Sequence, residues 1–457
     1  MTWTNEAAEK AEHVSAKLTQ TLRHLIETQP QQRIPFSMFM ETALYDSAYG
    51  YYATNQANIG GQGDFYTSPH VGAEFGEALA EQFAEMWAKL GYPHPFTLVE
   101  MGAGQGLLVR DVLRYLHRHH DACFDAVEYI VVEASPALVA HQQQRLGKLA
   151  QSLGRLHWRT WQDIKPDSIV GCCFSNELVD AFPVHRVALV KGQLQEVYVA
   201  LAEKRDEPSR DAGALAQGEG TGAIAPTPLL DPLDSEQLNL SDPSTWFAPS
   251  PALQLVQSSD FQEVLGDLST PQLLAYFQHV GIELSLEQYG EGYCTEVNLA
   301  AQDWMQTVAQ RLRRGYVLTI DYGYLAQRYY LPSRRQGTLQ CYYQHRVHNN
   351  PYIHLGQQDI TAHVDFTALQ QWGRQAGLES LSFTQQGLFL MALGLGDRIA
   401  AIAQMEPDAS RSISDILARR EALHSLINPT GLGGFGVLLQ GKGVEEDGRS
   451  LRGFQMP

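Results

Sequence analysis

Cysteine is scarce in this chain, and basic residues are outnumbered. The five cysteines among 457 residues, Cys123, Cys172, Cys173, Cys294 and Cys341, form no C-x-x-C pair and no zinc-type spacing, so no metal site is expected. An odd number at such spacings points to a reducing compartment, and adjacent Cys172 and Cys173 read as core thiols. Lysine and arginine total 33 against 51 aspartates and glutamates, a net charge of -18. That balance argues against a nucleic acid held through its phosphates and against an anionic membrane surface. It suits a cationic partner, or plain solubility.

Long hydrophobic runs are lacking too. The most apolar stretch, LFLMALGLG from Leu388 to Gly396, is too short to span a bilayer and ends at Asp397 and Arg398. The N-terminus, MTWTNEAAEKAEH, has several acids and no apolar core, unlike a secretory or organellar leader. The expectation is a cytoplasmic protein without membrane insertion. No internal repeat is visible. What is present is ordinary for a globular chain, 44% hydrophobic and 18% charged residues, at a length that implies more than one core.

Residues 6 to 29 carry a helical stripe, Val14, Leu18, Leu22 and Leu25, closed by Pro30. A Tyr- and Gly-rich segment from Tyr45 to Gly72 reads as a long loop or lid, and Ala73 to Leu90 as a helix. Strand and helix patterns then alternate: strands at Thr97 to Met101, Tyr129 to Glu133, Leu156 to Trp161 and Ile169 to Ser175, helices at Leu107 to His117 and Pro136 to Leu149. Short apolar strands of this kind belong to a parallel sheet covered on both faces. His185 to Val190 and Gln195 to Leu201 suggest a hairpin turning at Lys191-Gly192. A Gly/Pro-rich insertion follows, and the sheet rhythm resumes with a helix at Asn298 to Arg313 and a strand at Tyr316 to Asp321. Next come a helix at Phe366 to Gly377, a strand at Leu378 to Thr384, a helical segment from Leu388 to Leu426 and a last strand at Phe435 to Gln440. The expected division is an N-terminal helical and lid segment over 1–72 and the first part of an α/β domain over 73–202. The insertion spans 203–251, and 252–457 holds inserted elements and the remainder of the domain.

The stretch LVEMGAGQGLLVR, Leu98 to Arg110, places glycines between an apolar strand and a helix, where backbone N–H groups face a ligand. A dinucleotide fingerprint needs its third glycine at position 107, which is Leu107; here Gly102, Gly104 and Gly106 alternate. Glu100 precedes them, an acid that suits a cationic ligand and would repel a pyrophosphate. Glu133 ends the second strand, where an acid can take two ribose hydroxyls, unless it only neighbours a helix cap at Ser135. Asp163, beside Trp161, could accept an adenine amino group or merely cap a turn. Acid, alternating glycines and a second acid, in that order, are similar to class I S-adenosylmethionine-dependent methyltransferases.

Longer strings narrow the resemblance. GDFYTSPHVGAEFGE at Gly63, SNELVDAFPVHRV at Ser175, RRGYVLTIDYGY at Arg313, SRRQGTLQCYY at Ser333 and DITAHVDFTAL at Asp359 together resemble the MidA family. The likeness runs from about residue 30 to 200 and from about 255 to 440, leaving the insertion aside. It implies an α/β fold of the class I methyltransferase type, a Rossmann-like seven-stranded sheet with helices on both faces. It further implies S-adenosyl-L-methionine as cofactor and a protein-arginine methyltransferase making symmetric ω-dimethylarginine. The acceptor would be a protein substrate, a subunit of a complex I-type dehydrogenase, met during assembly. The mitochondrial members carry a transit peptide; this chain shows none, which suggests a bacterial protein with a target of its own.

In such a fold the end of the fourth strand faces the methyl group, and there stand Asn176, Glu177 and Asp180. Carboxylates can hold a guanidinium in a plane and take its proton, so Glu177 is the first catalytic candidate, with Asp180 second. Both could instead simply begin a helix and complement its dipole. Tyr66, Thr67 and Ser68, close to Asp64, sit in the loop expected over the methionine end of the cofactor. Asp321 to Tyr324, DYGY, could line the substrate groove, while Asp365 reads most economically as a helix cap. The D/N-P-P-Y string of enzymes that methylate nucleic-acid amines is absent at Asn176. Two other readings stay open: a cofactor-binding assembly chaperone without transfer, and a methyltransferase with another acceptor. A dinucleotide oxidoreductase is disfavoured by Leu107. The sequence does not set an oligomeric state.

Overall fold

A computed structural model describes residues 2–54, 67–203, 253–404, 412–444 and 450–456. Seven strands form the central sheet: β1 (Phe96–Met101), β2 (Val127–Val132), β3 (Leu156–Arg159), β4 (Ile169–Asn176), β5 (Leu312–Asp321), β6 (Glu379–Gln385) and β7 (Gly436–Lys442). Their spatial order is β6-β7-β5-β4-β1-β2-β3. Neighbours from β5 through β3 run parallel, and β7 alone is antiparallel, wedged between β5 and β6. This is the expected fold class.

Continuous apolar runs are needed because alternate residues of one strand feed opposite cores. Cys172 and Phe174 of β4 face a cluster with Phe75, Leu79 and Phe83 of the helix Ala73–Lys89 and Val109, Val112 and Leu116 of the helix Leu107–His119. Cys173 between them faces the other side, with Trp304 and Val308 of the helix Ala300–Arg311 and Leu369 and Trp372 of the helix Phe366–Gln375. All five cysteines are buried free thiols, and burial pushes the Cys173 thiol up to about 12. The core-thiol reading holds.

The chain leaves β1 toward β2 and β3 on one side, and β4 leads to β5 on the other. The carboxyl ends of adjacent β1 and β4 therefore flank the point where strand order reverses, the place where open α/β sheets bind ligands. A second sheet lies outside this one. The hairpin His185–Val190 with Gln193–Leu201 turns at Lys191 and Gly192, both at positive φ, as expected. It is joined by Arg33–Pro35, Phe261–Gly266 and Cys294–Val297, making five strands. A smaller three-stranded sheet is formed by Gln340–Tyr343, Arg346–His348 and Asp359–Thr361.

Several elements differ from the sequence reading. β5 begins at Leu312, and Tyr51–Thr54 and Ser68–Val71 are short helices within the segment taken as one loop. The helical stretch from Leu388 comprises separate helices, Gln386–Ala392, Leu395–Ala403 and Ile413–Ile427. Gly394 at φ 92° breaks the first from the second. The N-terminal helix Thr2–Glu27 buries Leu18, Leu22 and Ile26 against Phe36, Phe39 and Leu355. Among the described residues no helix is long and apolar enough to cross a membrane, and no cluster of three or more His, Cys, Asp or Glu could hold a metal.

Candidate active site

At the reversal point lies a crevice enclosing about 850 Å³ of free space, its open mouth included. The turn after β1 forms its floor: Gly102, Ala103, Gly104 and Gln105, with Leu107 and Leu108 of the following helix. Gly102, Gly104 and Gly106 all adopt positive φ, of 70°, 51° and 72°. The demand is clearest at Gly104, where a Cβ would meet nothing within 4 Å and would project into the crevice. Gly106 does a different job. It does not line the crevice; a Cβ there would come within 2.9 Å of Leu146, so its glycine serves helix packing.

Two acids flank the glycine turn. Glu100, buried near the end of β1, accepts a 2.5 Å bond from the Tyr129 hydroxyl. Burial pushes its carboxyl up to about 8; the Tyr129 bond pulls it down and nearby Glu133 raises it further. Glu133, one residue beyond β2, accepts from the Ser135 amide at 3.1 Å and from Gln142 Nε2 at 3.3 Å. Burial raises its pKa while these bonds oppose the rise. Its neighbourhood to the helix cap and its place in the crevice are therefore both real.

The opposite wall comes from the end of β4. Glu177 stands at φ 50°, its amide bonded to the Ile320 carbonyl of β5, so the chain turns sharply and puts Asn176, Glu177 and Leu178 into the crevice. Glu177 Oε1 accepts from the Ser68 amide at 3.1 Å and from Asn176 Nδ2 at 3.0 Å. Burial, then the charge of Asp180, push this carboxyl up to about 8. Asp180 lies just behind, buried in a 3₁₀ turn, its pKa raised to about 6 by burial and restrained by the Tyr322 hydroxyl. Asp180 Oδ1 and Asn176 Oδ1 are buried oxygens with no hydrogen-bond partner. No lysine or arginine stands among the described residues lining the crevice.

Other expectations need correction. Asp163 does not line the crevice; it is exposed and accepts from the Thr160 amide and hydroxyl, 2.9 and 2.8 Å away. The turn-capping reading holds there, because β3 ends at Arg159 and the chain after it curls back on itself. Asp321 does not line a groove either. It is fully buried, accepting the amides of Leu178, Val179 and Asp180 on one oxygen and thereby holding the turn that carries the acids. Asp365 caps the helix Phe366–Gln375, as read. Thr67 lines the crevice, while Ser68 is buried and reaches it only through its amide on Glu177. Tyr66 and Asp64 lie outside the described residues.

Sequence reasoning flagged the segment from Tyr45 as a lid without singling out Tyr45 and Tyr52, which stack at 5.3 Å and line the crevice. Tyr45 donates to the Ala181 carbonyl at 2.9 Å and Tyr52 to Asp359 at 3.1 Å. Their only sequence signal is the density of tyrosine between Tyr45 and Tyr52. Gln142 was missed as well, although an amide between Leu138 and Leu146 on an otherwise apolar helix face is a legible signal.

With this geometry established, comparisons with known proteins agree. The sequence profile of a family described as S-adenosyl-L-methionine-dependent methyltransferase matches residues 78–384. A Drosophila melanogaster protein named protein arginine methyltransferase NDUFAF7 homolog, mitochondrial, is 28% identical over 85% of this chain and 77% of its own length. The Mus musculus protein arginine methyltransferase NDUFAF7, mitochondrial, is 26% identical over 90% and 81%. The crystal structure of a Burkholderia thailandensis protein bound to S-adenosyl-homocysteine superposes with a TM-score of 0.73 at 28% identity, covering 97% of this chain and 96% of that one. The residues present here fit S-adenosylmethionine: open space over Gly104 for close backbone approach, Glu133 for ribose hydroxyls, and acids without a competing cation for a sulfonium. The chain belongs to the MidA family of class I S-adenosyl-L-methionine-dependent methyltransferases.

Proposed function

We propose that this enzyme methylates an arginine side chain of a protein, giving symmetric ω-dimethylarginine, and that the acceptor is a subunit of a complex I-type dehydrogenase during assembly. The observation that carries the reading is the oxygen set at the end of β4. Glu177 and Asn176 line the crevice with Asp180 buried behind them, and no lysine or arginine stands among the described lining residues. A guanidinium is the complementary group, a planar cation that only donates. The names of the relatives, protein arginine methyltransferase, support the same acceptor.

The cofactor supplies an electrophilic methyl carbon. The chain's own residues must then orient the acceptor nitrogen and remove its proton. Glu177 Oε1 is engaged by Ser68 and Asn176, which leaves Oε2 to meet the guanidinium. A carboxyl pushed up to about 8 is a stronger base than an ordinary one and is poised near neutral pH. Asp321 keeps the turn in place by taking its amides.

The test mixes the purified chain, methyl-labelled cofactor and separate subunits of the dehydrogenase, followed by hydrolysis and mass spectrometry of the product. Label recovered in symmetric dimethylarginine supports the reading. Label in another side chain, or a stable complex with a subunit and no label, would replace it with a different acceptor or with an escort role.

A further inference from the structure

On the cofactor side of the crevice one buried side chain touches three elements and has no part in the functional reading so far. Gln142 lies on the helix Pro136–Leu153, whose buried residues are Leu138, Gln142 and Leu146. Leu138 lines the crevice and Leu146 packs where a Gly106 Cβ would stand, so one helix face rides along the whole glycine turn. Gln142, fully buried, is the polar member of that face. Its Nε2 lies 2.8 Å from the Gly104 carbonyl and 3.3 Å from Glu133 Oε2. Its Oε1 accepts from Trp158 Nε1 at 2.9 Å, on β3.

These contacts fix which end of the amide is which. An indole N–H can only donate, so the atom facing Trp158 must be the carboxamide oxygen. The two hydrogens on the other end then have two acceptors, the Gly104 carbonyl and the Glu133 carboxylate. Every hydrogen-bonding hydrogen of the amide is used, and reversing it would set a donor against a donor and an oxygen against a carboxylate. The amide is locked.

We infer that Gln142 is a positioning residue of the cofactor site. It ties the peptide of Gly104 to the carboxylate of Glu133, so that the backbone floor and the ribose acid are presented as one rigid unit, with Trp158 setting the sense of the tie. Glu133 is also held by the backbone amides of Ser135, Ala134 and Gly104, and Gln142 Nε2 adds a side-chain donor on Oε2. This rests on the cofactor side alone and is independent of which acceptor is methylated.

The test is calorimetric titration of the whole chain with S-adenosyl-homocysteine and with its 2′-deoxyribose analogue. Gln142→Met preserves length and removes all three bonds. Losing a neutral bond and a charge-assisted one predicts an affinity for S-adenosyl-homocysteine about 10- to 100-fold weaker. The preference of the native chain for the hydroxylated ligand should shrink several-fold, because Glu133 loses the Gln142 donor on Oε2. In the double variant with Glu133→Ala, affinity should fall little further than in Glu133→Ala alone, since both changes disable one device. Effects that multiply, with the hydroxyl preference unchanged in Gln142→Met, would make Gln142 a packing residue and overturn the inference. If that variant does not fold, Trp158→Phe removes the N–H that orients the amide, together with part of the indole ring, and leaves Gln142 itself in place. It should lower the hydroxyl preference in the same direction by a smaller factor, and an unaltered preference overturns the inference equally. Native affinity in Glu133→Ala would also overturn it, because no acid would remain to be aimed. None of these titrations involves an acceptor, so the arginine reading stands or falls separately.

Discussion

Glu177→Gln probes the division of the crevice into a cofactor side and an acceptor side. The glutamine keeps the oxygen that accepts from the Ser68 amide and Asn176 Nδ2, so the turn after β4 should hold its shape. Oε2, the oxygen left for an acceptor, becomes an NH₂ that donates where a guanidinium also donates. A charge-assisted bond worth about 1.5–3 kcal/mol is lost, together with the base, and methyl transfer should fall by about 10²–10⁴. Affinity for S-adenosyl-homocysteine should stay near that of the native chain. Acidity gives a second, independent readout. Folded Glu177 holds its proton up to about 8, whereas the unfolded side chain releases it near 4.5. Between those values the folded state binds more protons, so this group's contribution to stability is full below pH 4.5 and is lost as pH rises through 8. The displacement, at ~1.4 kcal/mol per pH unit, sets a ceiling on the order of 5 kcal/mol on what the variant recovers relative to native between pH 5 and 9. Glu100 titrates over the same range in both proteins and cancels in the difference. The assays are label transfer, calorimetric binding and scanning calorimetry at pH 5 and 9. Transfer at the native rate would return Glu177 to a structural role and move the base to Asp180. Collapse of cofactor binding would place Glu177 on the cofactor side. A stability difference that ignores pH would remove the argument from burial.

Three further changes test other parts of the site and chain. Gly104→Val should abolish measurable cofactor binding in a protein that still folds: position 104 sits at φ 51° and its Cβ would enter the crevice, so native affinity by calorimetry would refute the cradle. Glu133→Ala should weaken S-adenosyl-homocysteine by about ten- to a hundredfold, the loss of a charge-assisted acceptor at about 1.5–3 kcal/mol, and an unchanged dissociation constant would leave Glu133 a structural acceptor for Ser135 and Gln142. Replacing Glu203 to Pro251 by a short Gly/Ser link should preserve the melting temperature within a few degrees. The strands on either side, Gln193–Leu201 and Phe261–Gly266, are hydrogen-bonded neighbours with Leu201 opposite Phe261, so a short connection can close them; a large fall would show that the segment contributes a packed element.

The parts of the fold that were legible are those where local pattern and tertiary role coincide. β1, β2 and β4 read cleanly because strands covered on both faces are mostly apolar. The glycine turn read cleanly because positive φ at Gly102, Gly104 and Gly106 admits few other residues. The hairpin at Lys191-Gly192 is legible for the same reason. The three-stranded sheet around Gln340–Tyr343 was not. Its strands are only three or four residues long, too short to show an alternation.

For the site, the limit was which acid does what. Sequence places Glu100, Glu133, Asp163, Glu177, Asp180 and Asp321 near strand ends, and every one could face a ligand or a backbone amide. The structure separates them by the amides they take. Asp321 accepts three amides on one oxygen and another on the second, so it is committed to the turn, and Asp163 is committed to Thr160. Glu177 has only one oxygen engaged, and Asp180 keeps a buried oxygen unpartnered. A buried acceptor left without a donor costs stability of about 1–3 kcal/mol, a penalty that a donor-only cation could relieve on arrival. The distinction between supporting and receptive acids depends on how many donors each meets. The partners come from residues as distant in sequence as Ser68, which donates to Glu177, and Asp321, which accepts the Val179 amide, beyond the reach of any local pattern.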